Sequence, residues 1–252
     1  MSRETRFLTC PGGVRLAWRQ VPGAGPTVVW LGGFRSDMAG TKAQAIADWA
    51  TACGRSYLRF DYFGHGESDG DFVDGTISRW RADALAVIDE LTRGELVLVG
   101  SSMGGWLACL AALVRPERVK ALVLIAPAAD FTEKLMVPEI DAAGREALAR
   151  NGVWLRPSEY GAPYPITAAL LEDGARWSIL PGPVPIKMPV RILQGGVDPD
   201  VPWQHALALS QALESDDVVF TLIKDGDHRL SRHQDIIRLA SVLDEVVWRI
   251  WL

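Results

Sequence analysis

"LVLVGSSMGGWLACLAAL", Leu96 to Leu113, is an uncharged stretch with two adjacent serines and three glycines crowded at its centre. Its length approaches the roughly 20 apolar residues of a membrane span. A span is a poor reading, because "GSSMGG" sits in the middle, where helix propensity is lowest. The two halves also differ in character. "LVLV" is short and β-branched, as a buried strand should be, whereas "MGGWLACLAAL" is rich in Ala and Leu, as a helix should be. Strand, tight turn, helix is the parse that fits, and it predicts no membrane span.

Outward from this stretch the pattern repeats. "RFLTC" and "VRLAWRQ" flank "PGG" and read as an N-terminal antiparallel hairpin. "TVVWLGG", "SYLRFDY", "VKALVLIAPA", "PVRILQG" and "DVVFTLIK" read as further strands. Between them lie helical patterns at "TKAQAIADWATACG", stopped by Gly54, and at "GTISRWRADALAVIDELTRG". In the latter Ile77, Trp80, Ala84, Val87, Ile88 and Leu91 share one face. A last helix is expected from about His233 to Trp248. Apolar strands alternating with helices imply an α/β class with a mostly parallel, doubly wound sheet covered on both faces. Ligands on such sheets bind at the carboxyl ends of the strands.

One segment breaks the rhythm. From Asp130 to Met188 no strand pattern is evident, and helices are expected at "DAAGREALARNG" and "ITAALLEDGARWSIL" before the proline-rich "PGPVPIKMP". It is too long for a structureless loop. The expected organisation is therefore a core of residues 1–129 and 189–252, interrupted by a small helical cap at 130–188.

The chain has 252 residues, 48% hydrophobic and 23% charged, with a formal net charge of −5. That composition suits a globular protein, and the acidic balance argues against a nucleic-acid partner. Cys10, Cys53 and Cys109 are few, odd in number and without metal-ligand spacing, so they read as reduced thiols. The start "MSRETRFLTC" has no apolar core of a secretory signal. Together these predict a cytoplasmic protein.

The turn itself carries the chemistry. Gly100 to Gly104 fits G-x-S-x-G on a strand-to-helix bend, the nucleophile-elbow pattern. Such a bend crowds the residues two before and two after the nucleophile. For Ser102 these are Gly100 and Gly104; for Ser101 they would be Val99 and Met103, which would clash. Ser102 is therefore the candidate nucleophile, with Ser101 a small neighbour. A serine hydroxyl needs a base. His228, in "KDGDHRLS" after the strand "VVFTLI", is preferred on chain order, with His65 second. The base needs a carboxylate. Asp198 in "ILQGGVDPDVPW" is preferred, with Asp200 as fallback and Asp130 as a weaker alternative. Oxyanion donors are assigned to the backbone N–H groups of Phe34, after "WLGG", and Met103.

In their order along the chain, "LGGF", "DYFGHGESDG", "GSSMGG", "DPDVP" and "GDHR" resemble the α/β-hydrolase family of serine esterases over nearly the full length. The resemblance implies an α/β-hydrolase fold, Ser102, Asp198 and His228 as a triad, and hydrolysis of carboxylic esters or thioesters through an acyl-enzyme. Substrates would be small-molecule or protein-linked acyl groups, and no metal or organic cofactor is required. Epoxide hydrolases and dehalogenases place a carboxylate at the elbow, so Ser102 excludes them. Carbon–carbon hydrolases and perhydrolases keep the same triad, and a non-catalytic ligand receptor can keep the fold. Arg35, Trp154, Tyr160 and Trp177 are the candidate substrate contacts. Leu135, Met136, Val137, Tyr164 and Ile179 also belong to the apolar set that would line an acyl pocket or form the cap's own core.

Overall fold

The computed structural model describes residues 4–157 and 163–251. An eight-stranded sheet runs through the molecule. The first two strands, β1 (Arg6–Thr9) and β2 (Arg15–Val21), pair antiparallel as the expected hairpin. After β3 (Ala24–Leu31) come helix α1 (Thr41–Cys53) and β4 (Arg55–Phe60), which lies parallel to β3 and antiparallel to β2. Gly54 ends α1 in the left-handed region at φ 64°, and its N–H returns to the Ala50 and Thr51 carbonyls. Helix α2 (Ile77–Leu91) starts at Thr76, whose hydroxyl accepts the Arg79 N–H. It buries Ile77, Trp80, Ala84, Val87 and Ile88 of the expected stripe, leaves Leu91 partly buried, and buries Asp83 as well.

The quoted stretch divides into β5 (Leu96–Ser101) and α3 (Met103–Val114), joined at Ser102. Along β5, Leu96 and Leu98 enter one core while Val97 and Val99 enter the other. That is the two-sided burial expected of a central parallel strand. β6 (Val119–Ile125) follows on the far side of β5. The strand order is β1-β2-β4-β3-β5-β6, continuing to β9 (Val190–Gly195) and β10 (Val218–Ile223). From β3 the chain winds outward to β4, then returns to place β5 on the other side, so direction reverses between β3 and β5. A crevice at their carboxyl ends is the expected consequence.

The intervening segment corrects the sequence reading in one respect. Helices α4 (Ala142–Asn151) and α5 (Ala168–Ala175) form, but between them β7 (Val153–Arg156) and β8 (Tyr164–Thr167) pair antiparallel in a small separate sheet. Four-residue strands, one of them carrying Pro165, are too short to show a period-2 pattern. Residues 132–136 form a π-helical turn followed by a 3₁₀ turn. This segment docks on α2: the Asp173 carboxylate accepts both the Ser78 N–H (2.7 Å) and its hydroxyl (2.6 Å). After β9, α6 (Trp203–Ala212) leads to β10, and α7 (His233–Trp251) closes the chain. One core packs α2 and α3 on the sheet, and the other packs α1 and α7 on its opposite face. Among the described residues no helix is long and apolar enough to cross a membrane.

Candidate active site

Ser102 caps α3 with φ 54° and ψ −120°, a conformation that costs an L-residue energy and turns its side chain outward. The glycines permit the bend. A Cβ on Gly100 would fall 2.3 Å from the Gly104 carbonyl oxygen, and one on Gly104 would fall 2.0 Å from the Leu31 carbonyl oxygen. Both obstacles are backbone and cannot swing aside. The Ser102 N–H is held by the Ile125 carbonyl at 2.9 Å, and its own carbonyl accepts from Gly105 and Ala128.

His228 lies in the loop after β10, with Nε2 3.1 Å from Ser102 Oγ and Nδ1 2.8 Å from Asp198 Oδ2. The Asp198 side chain is fully withdrawn from solvent, and each of its oxygens is engaged. Oδ1 accepts the N–H groups of Asp200 (2.9 Å) and Val201 (2.8 Å), while Oδ2 accepts from His228 and from Gln194 Nε2 at 3.1 Å. Such a set holds the carboxylate in one orientation and keeps its charge compensated. Gln194 was not singled out in the sequence. Its signal is a lone amide at the end of the apolar strand "VRILQG", fully buried in the structure.

The alternative residues have other hydrogen-bond partners. Asp200 contributes its backbone N–H to Asp198 and lines the cavity. The Asp130 carboxylate accepts from Ser178 Oγ (2.7 Å), Ile179 N–H (3.0 Å) and Leu180 N–H (2.8 Å), fastening the far end of the 130–188 segment. His205 Nε2 meets the Ala129 carbonyl at 2.7 Å. Both ring nitrogens of buried His65 are committed: Nδ1 to the Phe63 carbonyl (3.0 Å) and Nε2 to the Arg35 N–H (3.2 Å). Burial holds the His65 imidazole below the usual histidine range.

The loop after β3 faces the elbow. A Cβ on Gly33 would lie 3.4 Å from Ser102 Cβ, so this loop and the nucleophile turn are in close approach. Phe34 and Met103 both border the cavity above Ser102. The Phe34 ring packs edge-on to Phe72 (4.9 Å) and Trp80 (5.8 Å). Arg35, at φ 56°, lays its guanidinium over Tyr164 at 4.9 Å. Farther along, the Asp61 carboxylate accepts the N–H groups of Met38 and Glu67, and burial pushes its pKa up to about 6.

A cavity of about 550 Å³ opens over Ser102 and His228. Phe131, Leu135, Met136 and Tyr164 supply its apolar side. Among the described residues Arg35, Lys42, Arg156 and Arg229 line it against a single carboxylate, Asp200. Lys42 donates to the Arg229 carbonyl, and burial brings its pKa down to about 8.

Two expected substrate contacts are corrected by these positions. Trp154 does not border the cavity. It packs under α4, where a Cβ on Gly144 would meet its Nε1 at 2.8 Å. Trp177 does not border it either: its Nε1 donates to Ser78 Oγ at 2.7 Å and Arg81 covers its ring at 4.3 Å, so it fastens the segment to α2. Tyr160 lies outside the described residues. A metal is a poor fit to the one cluster of potential ligands among the described residues, Asp198, Asp200 and His228. There the Asp198 oxygens and His228 Nδ1 are already spent on hydrogen bonds within the protein.

Comparison with known proteins shows the family and the fold. A family model described as Hydrolase_4, serine aminopeptidase S33, matches residues 26–173. The mitochondrial palmitoyl-protein thioesterase ABHD10 of Bos taurus is 37% identical over 245 residues, spanning 96% of this chain and 79% of that protein. The crystal structure of a putative hydrolase from Agrobacterium vitis S4 superposes with a TM-score of 0.93 at 46% identity, covering 97% of this chain and 98% of that one. The α/β-hydrolase domain-containing protein 10 from mouse gives 0.91 at 34% identity over 98% of this chain and 99% of its own.

Proposed function

This chain belongs to the α/β-hydrolase family that the serine aminopeptidase S33 model describes, and from that premise we propose that it is a serine hydrolase of acyl esters and thioesters. The observation that carries the reading is the unbroken hydrogen-bonded chain Ser102–His228–Asp198, with the serine on a strained elbow at the floor of a cavity.

Ser102 Oγ attacks the substrate carbonyl carbon while its proton passes to His228 Nε2. Asp198 accepts from His228 Nδ1–H, fixing the tautomer and offsetting the imidazolium charge. The tetrahedral oxyanion forms between the Phe34 and Met103 N–H groups, each worth about 3 kcal/mol to the transition state. The N-terminus of α3 adds a favourable field. The bond from the former carbonyl carbon to the leaving oxygen or sulfur breaks as His228 returns its proton to the departing alcohol or thiol. A water then repeats the sequence on the acyl-enzyme and frees the acid and Ser102. The apolar wall of Phe131, Leu135 and Met136 suits the acyl chain. The palmitoyl-protein thioesterase relatives favour thioesters among the candidate substrates. An aminopeptidase reading is disfavoured because, among the described lining residues, the peptide's ammonium would face Arg35, Lys42, Arg156 and Arg229 against the one carboxylate of Asp200.

The test is hydrolysis of matched acyl esters and thioesters, from short to long chains, by the wild type and Ser102→Ala. Turnover in the wild type and none in a folded mutant is the expected result. Activity retained by the mutant, or ligand binding without turnover in either protein, overturns the reading.

A further inference from the structure

His65 is not the base, yet it is 4% exposed and both of its ring nitrogens are used. Its partners fix its chemical state. The Phe63 carbonyl can only accept, so Nδ1 carries the proton; the Arg35 N–H can only donate, so Nε2 is the bare acceptor. The ring is wedged against Tyr62, Phe72 and Trp80 at centroid distances of 5.8, 5.2 and 5.3 Å. Phe72 and Trp80 are also the rings that hold the Phe34 side chain. Arg35 itself stands at φ 56°, a conformation that a non-glycine residue keeps only when its surroundings enforce it. The imidazole therefore clamps the peptide immediately after the Phe34 N–H, linking the β4 loop to the β3 loop.

We infer that His65 is a positioning residue for the proposed hydrolysis: by accepting the Arg35 N–H, it fixes the Phe34 N–H where the oxyanion forms. This rests on the serine-hydrolase reading. Oxyanion stabilisation depends on a donor placed before the charge develops, so a loosened donor weakens the transition state more than the bound substrate.

Two variants separate this role from simple packing. His65→Gln can place its amide oxygen near the Nε2 position and still accept from Arg35; His65→Asn keeps a donor near Nδ1 but cannot reach. With steady-state kinetics and the inhibition constant of an alkylboronic acid, whose serine adduct occupies the oxyanion site, His65→Asn is expected to lower kcat by about 10- to 100-fold. It should weaken the boronic acid by a similar factor and leave KM within about twofold, with His65→Gln recovering most of both losses. Unchanged kcat and boronate affinity in His65→Asn overturns the inference. So does a loss shared by kcat and KM that glutamine does not repair, which is the mark of a structural role. Should both variants fail to fold, ¹⁵N imidazole spectra of the wild type decide. A neutral Nδ1–H ring whose Nε2 signal moves on boronate binding supports the assignment, whereas an Nε2–H tautomer or imidazolium at neutral pH overturns it. Ser102→Ala run alongside keeps the two claims apart, because residual turnover there defeats the hydrolase reading whatever His65 does.

Discussion

The sheet side of the cavity and the side contributed by residues 130–188 meet over Ser102, but they are held by different means. On the sheet side, backbone lies against backbone: Gly100 and Gly104 leave no room for a side chain, Gly33 lies close to the serine turn, and Asp198 is gripped through both oxygens. On the other side, short strands and a π-turn are held through individual side chains, Asp173 and Trp177 to α2 and Asp130 to the Ser178–Leu180 stretch. The contrast teaches a division of labour. Positions that set bond-making geometry are fixed by atoms that cannot rotate away. Positions that shape the acyl wall are fixed by a few polar latches and can vary without moving the nucleophile.

The sharpest way to break this contrast is Gly104→Ala. The added methyl would drive into the Leu31 carbonyl at 2.0 Å, so the variant should lose more than about 4 kcal/mol of stability or fail to fold in a denaturant melt. A mild melt would mean that the elbow is not as tightly packed as the sheet side requires. Next in size is Asp198→Asn, which preserves shape but misorients His228; kcat should fall by about 10³- to 10⁴-fold with near-normal stability. On the other wall, Asp130→Ala leaves the Ile179 and Leu180 N–H groups without their acceptor and Ser178 Oγ with the Leu180 carbonyl alone, a loss of about 2–4 kcal/mol readable by thermal unfolding. Tyr164→Ala removes a cavity-lining ring that contacts Arg35, and should raise KM about three- to tenfold with kcat little changed. Equal losses in kcat and KM would blur the distinction between the walls.

The smallest expected effect concerns pH. Burial lowers the His65 pKa in the folded state below its ordinary value of 6.5, so the unfolded chain binds the proton more readily. The contribution of the neutral ring to stability is thus present above pH 6.5 and is lost as the pH falls through the lowered folded value. Asp61 acts in the opposite sense, because its raised pKa of about 6 favours the folded state as acid is added. Subtracting the melts of His65→Gln from those of the wild type isolates the histidine. The wild type's advantage should shrink between pH 7 and pH 5.

Much of the sheet side was legible in the residues. The two-sided apolar strands, the helix stop at Gly54 and the serine flanked two residues either way by glycine all follow from local patterning. The other wall was not. β7 and β8 are too short for their alternation to stand out, and the tryptophans Trp154 and Trp177 look like ligand contacts in sequence while the structure gives them to packing. An aromatic residue carries the same apolar surface whether it faces a substrate or a neighbouring helix, so composition does not separate the two uses.

By itself the sequence determined the class of the fold, the identity of the elbow serine by sterics, and a preferred order of partners for it. The reason is that backbone crowding and side-chain period act over a few residues. Only the tertiary structure decided that Asp198 rather than Asp130 meets His228, that His65 serves the Arg35 peptide, and that Gln194 steadies the carboxylate. Those choices depend on strand ends brought together by sheet order from positions as far apart as Ser102 and His228. Hydrogen bonds across such distances are set by where the strands stop, which no local pattern records.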